Sequence, residues 1–415
     1  TSPKSCIVHS PMIERVSFHE FKSLHQVSID LGRFMVIVGP NGSGKTSILD
    51  GLLYLARATT SPLDKVMSGV YEPANLERRG ASSPMAIEMA GHFEGNAAEV
   101  RIAPMSQDDK PEFGVHRRWG NYVSTNDQHG VEKTRTAPPK SSKYRLPPPR
   151  KGKAPHYGCE DAAMKKLAES VGAVRKLRLD VERLAAPSYS DEETPTMHTN
   201  GEGLAMVLAD LAGRSPETFQ NIQDAVRAVV PTLERIRTQR ARVIKREAQE
   251  IRIDNKPILH EVERSIWGQQ ILLDFKGAPN IPAPLSSEGT LLVIGLLTAL
   301  WSNPRPRLLL LDDIDKALHP RAQAELVAQL RKVLALDANL QIIAASHSPY
   351  LLDHFEPQEV LVTALDDDGS TVCASLTEHP DFARWKDNTR TGELWSFVGE
   401  DWINAPKNRR VRHEK

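Results

Sequence analysis

Phe34-Met35-Val36-Ile37-Val38-Gly39-Pro40-Asn41-Gly42-Ser43-Gly44-Lys45-Thr46 is the stretch that decides the fold. From Gly39 onward it matches G-x-x-x-x-G-K-[ST], the pattern of a phosphate-binding loop. The run Phe34 to Val38 is apolar and β-branched, as a buried strand would be. Ser47 to Leu55, on the other side, has helical spacing. Strand, glycine loop and helix in this order wrap backbone N–H groups around an anion and aim a helix N-terminus at it. In that reading Gly39, Pro40, Asn41, Gly42, Ser43, Gly44, Lys45 and Thr46 bind a nucleotide. Lys45 reaches the β- and γ-phosphates, and the Thr46 hydroxyl ligates Mg²⁺.

The rest of the chain is large enough to surround such a site. Its 415 residues leave room for two structural units. Lys+Arg and Asp+Glu both number 53, so no overall charge drives non-specific binding to nucleic acid. Cys6, Cys159 and Cys373 are far apart and in no metal spacing, which points to reduced thiols and a cytoplasmic protein. Leu291 to Trp301, the longest strongly apolar run, is too short to span a bilayer, and no signal-peptide pattern opens the chain.

Outward from the loop, Met12 to Phe18 and Val27 to Leu31 read as strands flanking Phe34 to Val38 in antiparallel fashion. Met85 to Phe93 and Ala98 to Ile102 read as a hairpin at the edge of the sheet. From about Met105 to His156 the sequence is rich in proline and shows no hydrophobic period. Between Lys133 and Lys153 it carries Lys133, Arg135, Lys140, Lys143, Arg145, Arg150, Lys151 and Lys153 and no acid, the pattern of a partly disordered insertion. That segment is either a solvated loop or a contact for the phosphate backbone of DNA or RNA. Asp161 to Arg183, Leu204 to Leu211 and Pro216 to Val229 have helical spacing, with a strand also possible across Lys176 to Leu179. The Arg/Lys-dense Leu233 to Ile253 fits strands or a surface helix equally well, and the absence of a sustained heptad argues against a coiled-coil arm.

Three further elements carry chemistry. Leu308-Leu309-Leu310-Leu311 reads as a central parallel strand, ending in Asp312-Asp313 where ligands meet such sheets. Asp312 would hold Mg²⁺, and Asp313 would orient or activate the attacking water; an acidic strand end merely capping a turn is the plainer reading of Asp313. His347 follows the strand Gln341 to Ala345 and could sense a γ-phosphate, or be an ordinary loop histidine. Ser287-Glu288-Gly289 precedes an apolar helix: Ser287 reads as its N-cap, and Gly289 would let a phosphate come close.

In this order and spelling the four elements resemble the ABC-type ATPases, in particular the non-transporter branch of RecF, the SMC proteins and the OLD nucleases. Gly39 to Thr46 is similar to Walker A, Leu308 to Asp313 to Walker B, and Lys316 to Pro320 to the D-loop. His347 resembles the switch histidine, Ser286 to Thr290 a shortened signature motif, and Phe21 to Leu24 the opening of that branch. The resemblance implies an α/β fold, a P-loop ABC-type ATPase core with a mixed sheet, interrupted by a helical and basic insertion. It implies ATP and Mg²⁺ as ligands, and a homodimer in which Ser287 and Gly289 of one subunit face the nucleotide of the other.

The expected division is a core part at 1–104, a Pro-rich basic insertion at 105–158 and a helical insertion at 159–266. A second core part occupies 267–378, then comes a C-terminal segment at 379–415. Two departures matter: Asp313 stands where the branch usually has Glu, and no Q-loop glutamine can be placed. No nuclease signature accompanies the ATPase motifs, so the resemblance implies a stand-alone subunit acting with a separately encoded nuclease or effector in DNA maintenance or phage defence. The alternative is a nucleotide-gated clamp or sensor with little hydrolysis. A small-molecule P-loop kinase is disfavoured, because it needs neither Ser287-Glu288-Gly289 nor His347.

Overall fold

The computed structural model describes residues 12–106, 112–130, 132–134, 157–253, 256–302, 304–386 and 388–403. Its strands run β1 (Met12–Phe21), β2 (Leu24–Asp30), β3 (Phe34–Val38), β4 (Ala86–Phe93), β5 (Asn96–Pro104) and β6 (Phe113–Trp119). They continue as β7 (Tyr122–Asp127), β8 (Glu132–Thr134), β9 (Val174–Leu177), β10 (Leu233–Ile253) and β11 (Lys256–Phe275). The last are β12 (Ala278–Pro282), β13 (Leu308–Leu311), β14 (Gln341–Ser346), β15 (Val360–Leu365) and β16 (Thr371–Ser375). The chain divides into two compact units, one of residues 1–176, 306–315 and 334–415, the other of residues 177–305 and 316–333.

The first unit holds two sheets. A six-stranded mixed sheet has the order β16-β15-β3-β14-β13-β9. There β13, β14, β3 and β15 are parallel neighbours and β16 closes one edge antiparallel to β15. Every residue of β3, β13 and β14 is buried, as expected of parallel strands covered on both faces. Each leucine of β13 gains about 2 kcal/mol from leaving water. A seven-stranded antiparallel sheet has the order β2-β1-β4-β5-β6-β7-β8. The helix Lys45–Arg57 buries Ile48, Leu49, Leu52 and Leu55 and packs between the sheets, against β4 and β5 on one side and β13 and β14 on the other. A buried glutamine ties the sheets directly: Gln341 Nε2 donates to the Ile13 and Gly32 carbonyls at 2.9 Å each, and its Oε1 accepts from the Ile13 N–H at 3.1 Å.

Three local expectations change here. β1 and β2 do pair antiparallel, but in the seven-stranded sheet rather than beside β3. β4 and β5 are interior strands, because β6, β7 and β8 extend the sheet beyond them. The stretch expected to be an insertion without a hydrophobic period therefore begins as sheet: Phe113, Val115 and Trp119 of β6 alternate into the core. That period spans too few residues to stand out in the sequence between its proline-rich and basic neighbours. Lys140 to Lys153 lie outside the described residues.

In the second unit the helices Leu204–Arg214, Pro216–Val229 and Glu288–Trp301 pack together. Here the ambiguous basic stretch is strand: β10 and β11 form a hairpin in register from Leu233↔Phe275 to Ile253↔Lys256. At about 3.3 Å per residue it is roughly 70 Å long. Its base carries buried apolar residues, among them Leu233, Ile236, Ile271 and Leu273. Farther out, Trp267 is about half exposed and lies under the guanidinium groups of Arg242 and Arg240, 3.9 and 4.7 Å from its ring centroid. Such cation–π contacts contribute about 0.5–1 kcal/mol each at an exposed site.

Candidate functional site

The P-loop lies where the sequence puts it, between β3 and the helix Lys45–Arg57. Pro40, Asn41 and Gly42 are exposed at its tip, while Gly39, Ser43, Gly44 and Lys45 are buried. Gly44 is the helix N-cap, with φ of 96°, and no side chain caps the helix. The first N–H groups of the helix are thus presented at a loop rather than closed off, the arrangement that receives an anion. A β-carbon at Gly44 would meet the Thr371 hydroxyl at 2.3 Å, so β16 backs the loop closely enough to require glycine. Ser43 Oγ lies 2.7 Å from Thr363 Oγ1, which in turn donates to the Val38 carbonyl at 2.9 Å. Thr363 and Thr371 are supports that no sequence motif marks.

Lys45 folds back over the loop and donates to the Gly39 and Pro40 carbonyls at 2.8 and 2.7 Å. Burial pushes its ammonium below the usual lysine value, while the carboxylates of Asp313, Asp312, Glu400 and Asp315 pull it back up. Thr46 Oγ1 is 3.2 Å from both carboxylate oxygens of Asp312, at the end of β13. Hydroxyl and carboxylate are hard oxygen donors, the kind that suit Mg²⁺. No group of three or more His, Cys, Asp or Glu side chains able to hold a metal occurs among the described residues. A Mg²⁺ ion held by Thr46 and Asp312 would need further oxygens from a bound phosphate or water, which is how this ion is usually held.

Asp313 is exposed and in the left-handed region, with φ of 52°. Aspartate tolerates that region far better than most side chains do. The backbone at this position therefore accommodates Asp more readily than Glu. His347 comes directly after β14, its Nε2 3.9 Å from Asp313 Oδ1, and its backbone N–H donates to Asp315 Oδ1 at 3.3 Å. Thr46, Asp312, Asp313 and His347 therefore gather just past the C-terminal ends of β3, β13 and β14, where ligands bind in parallel sheets.

Ser287 and Gly289 belong to the second unit. Ser287 caps the helix Glu288–Trp301: its Oγ accepts from the Thr290 N–H at 3.3 Å and lies 2.7 Å from Thr290 Oγ1. A β-carbon at Gly289 would come within 2.5 Å of the Ala317 carbonyl, so this glycine is also required by packing against the segment after β13. Ala317 itself has φ of 57°, a strained value for alanine. Ser287, Glu288 and Leu285 face solvent.

Further charged residues stand beside Asp312. Asp50, on the P-loop helix, takes Lys22 Nζ on Oδ2 and Lys176 Nζ on Oδ1, both at 2.6 Å. Lys176 Nζ is also 3.7 Å from Asp312 Oδ2. Only the place of β9 beside β13 brings Lys176 here; nothing in the spelling of Val174–Leu177 announces it.

The family model described as "AAA domain, putative AbiEii toxin, Type IV TA system" matches residues 34–353, more than three quarters of the chain. The chain belongs to this AAA-domain family. Among solved structures it is similar to the SmcHead bound to the C-winged helix domain of ScpA, with a TM-score of 0.52 at 14% identity over 89% of this chain and 99% of that one. The SMC head domain from Thermotoga maritima is similar at a TM-score of 0.46 and 11% identity, over 88% of this chain and 98% of that one. The Chromosome partition protein Smc of Methanocaldococcus jannaschii is 40% identical over 50 residues, which are 12% of this chain and 4% of that protein. The chain thus spans a small part of that relative's length. The likeness to the SmcHead shows the fold alone, a mixed α/β fold with a P-loop. No helix among the described residues is long and apolar enough to cross a membrane.

Proposed function

We propose that this AAA-domain family member binds ATP with Mg²⁺ at Gly39–Thr46 and hydrolyses it in a head-to-tail homodimer. The observation that carries the reading is the convergence of the Thr46 hydroxyl on Asp312, beside the buried Lys45, from elements 266 residues apart in the chain. Bound Mg·ATP supplies a phosphoryl group already polarised for attack by water. Lys45 leaves the Gly39 and Pro40 carbonyls to neutralise the β- and γ-phosphates. The open N-terminus of the helix Lys45–Arg57 adds backbone donors. Thr46 and Asp312 hold the metal. Asp313 accepts the proton of the attacking water, and His347, within 3.9 Å of it, reads the γ-phosphate from the end of β14.

Ser287 and Gly289 would face the nucleotide of the second subunit. Support comes from the exposure of Ser287, Glu288 and Leu285, the last of which leaves 77% of its surface in solvent. An exposed apolar side chain beside a helix N-terminus suits a face that is covered on assembly. The output would be a conformational signal to DNA or to a separately encoded nuclease or other effector, in bacterial DNA maintenance or phage defence. This part rests on the resemblance and on the toxin named in the family description. The basic segment Lys133 to Lys153 is the proposed contact for DNA or RNA.

Asp313 favours a second reading, a nucleotide-gated clamp with little turnover, since a carboxylate one methylene shorter holds water differently. Steady-state phosphate release by the purified protein, with and without DNA, tests the proposal. Turnover that requires Mg²⁺ supports hydrolysis, and tight ATP binding without turnover supports the clamp.

A further inference from the structure

Four charged side chains alternate along the metal side of the site. Lys22, Asp50, Lys176 and Asp312 stand in a row, and Asp312 accepts from Thr46 at the end of it. The row crosses the turn after β1, the P-loop helix, the edge strand β9 and the end of β13. Side-chain exposure is 25% at Lys22, 17% at Asp50, 11% at Lys176 and 12% at Asp312. Charges so far out of water persist only when paired. The pairing is uneven: Lys176 is in contact with Asp50 at 2.6 Å but stands 3.7 Å from Asp312. Asp50 therefore anchors Lys176, and Asp312 keeps lone pairs for other partners.

We infer that Lys176 is a positioning residue that acts as an internal cation, denying Asp312 and Thr46 a free divalent ion until a nucleotide accompanies it. The inference rests on the reading of Thr46 and Asp312 as the metal side of an ATP site. A fixed ammonium beside Asp312 repels a second cation, and in a poorly solvated setting that repulsion is strong. The phosphates of a nucleotide add negative charge at the same place and offset it. Without Lys176, Asp50 keeps Lys22, while Asp312 joins Asp313 and Asp315 with one cation fewer among them. The site would then attract a bare divalent ion, and metal uptake would no longer depend on nucleotide.

The test is binding of Mn²⁺ alone, tracked by the loss of its free-ion magnetic resonance signal, to the wild type, Lys176→Met and Lys176→Arg. A parallel measurement follows Mn²⁺ with ATP by equilibrium dialysis, because ATP alone also removes the free-ion signal. Lys176→Met should bind Mn²⁺ without nucleotide at least about tenfold more tightly than the wild type. Adding Asp312→Asn should remove that gain, and Lys176→Arg, which keeps the charge, should resemble the wild type. If methionine at this position prevents folding, Lys176→Gln, which keeps a donor for Asp50, must show the same gain. Unchanged or weaker Mn²⁺ binding in the neutral variant, or a gain in Lys176→Arg as well, overturns the inference while leaving the ATP site standing. Failure of the wild type to bind Mn²⁺ with ATP overturns the ATP-site reading, and the inference with it.

Discussion

Thr46 Oγ1 reaches both carboxylate oxygens of Asp312 at 3.2 Å each, from opposite ends of the family match. Thr46 starts a helix and Asp312 ends a strand. Both elements are fixed by one buried sheet, in which β3, β14 and β13 are consecutive neighbours. That sheet holds the hydroxyl and the carboxylate together, and under the proposed function substitutions there should have separable effects.

Asp313→Asn should keep ATP binding and lose turnover by about 10²–10⁴-fold, the range for a lost general base. The ATP-bound dimer should accumulate as a result. Asn is nearly isosteric and also tolerates the φ of 52°. Single-turnover phosphate release measures the loss, and a rate close to wild type would move the role to His347.

Ser287→Arg should block ATP-driven dimerisation while leaving monomer ATP binding intact. Losing the cap on the helix Glu288–Trp301 should cost about 1 kcal/mol of stability as well. Sedimentation velocity in ATP and Mg²⁺ checks it with a thermal melt alongside. An unchanged ATP-dependent dimer leaves Ser287 as a helix cap and no more.

Much of the candidate site is legible in the sequence because its pattern is local. A glycine loop between an apolar strand and a helix is written in consecutive residues, as is an acidic pair after four leucines. Lys176 and Asp50 were not legible, since their meeting depends on which strand lies beside β13. Thr363 and Thr371 were missed for the same reason. β6 was hidden by its setting, and β10 by the arginines and lysines it carries beyond its buried base. Ser287 is the N-cap that its sequence predicts, a signal carried within four residues.

His116 should make the fold sensitive to acid. Burial, reinforced by Arg101, pushes its imidazole below the ordinary value of 6.5, and its Nδ1 is 3.0 Å from Thr125 Oγ1. As pH falls below 6.5 the unfolded chain takes up this proton first, so stability declines between 6.5 and the lower folded value. His116→Asn should shrink the difference between urea midpoints at neutral pH and at about pH 5.5. An undiminished difference would assign the acid sensitivity to other groups.

Neutralising Lys140, Lys143, Arg145, Arg150, Lys151 and Lys153 together should weaken nucleic-acid binding alike across sequences and flatten its salt dependence. Each lost phosphate contact removes about 0.7–0.9 from the log–log salt slope. Basal ATP turnover should not change. Filter binding across a salt series reads both quantities. Unchanged affinity and slope would send the search first to Leu233 to Arg252, where the hairpin carries Arg240 and Arg242 against Trp267.

The central claim is that Gly39–Thr46 holds ATP, and calorimetric titration of ATP with Mg²⁺ into the wild type and Lys45→Ala tests it most directly. The account predicts one nucleotide per wild-type chain and a loss of at least about a hundredfold in affinity for the variant, whose buried cation no longer meets the phosphates. Wild-type protein that takes up no ATP, or a variant that binds it as tightly as wild type, would contradict the account.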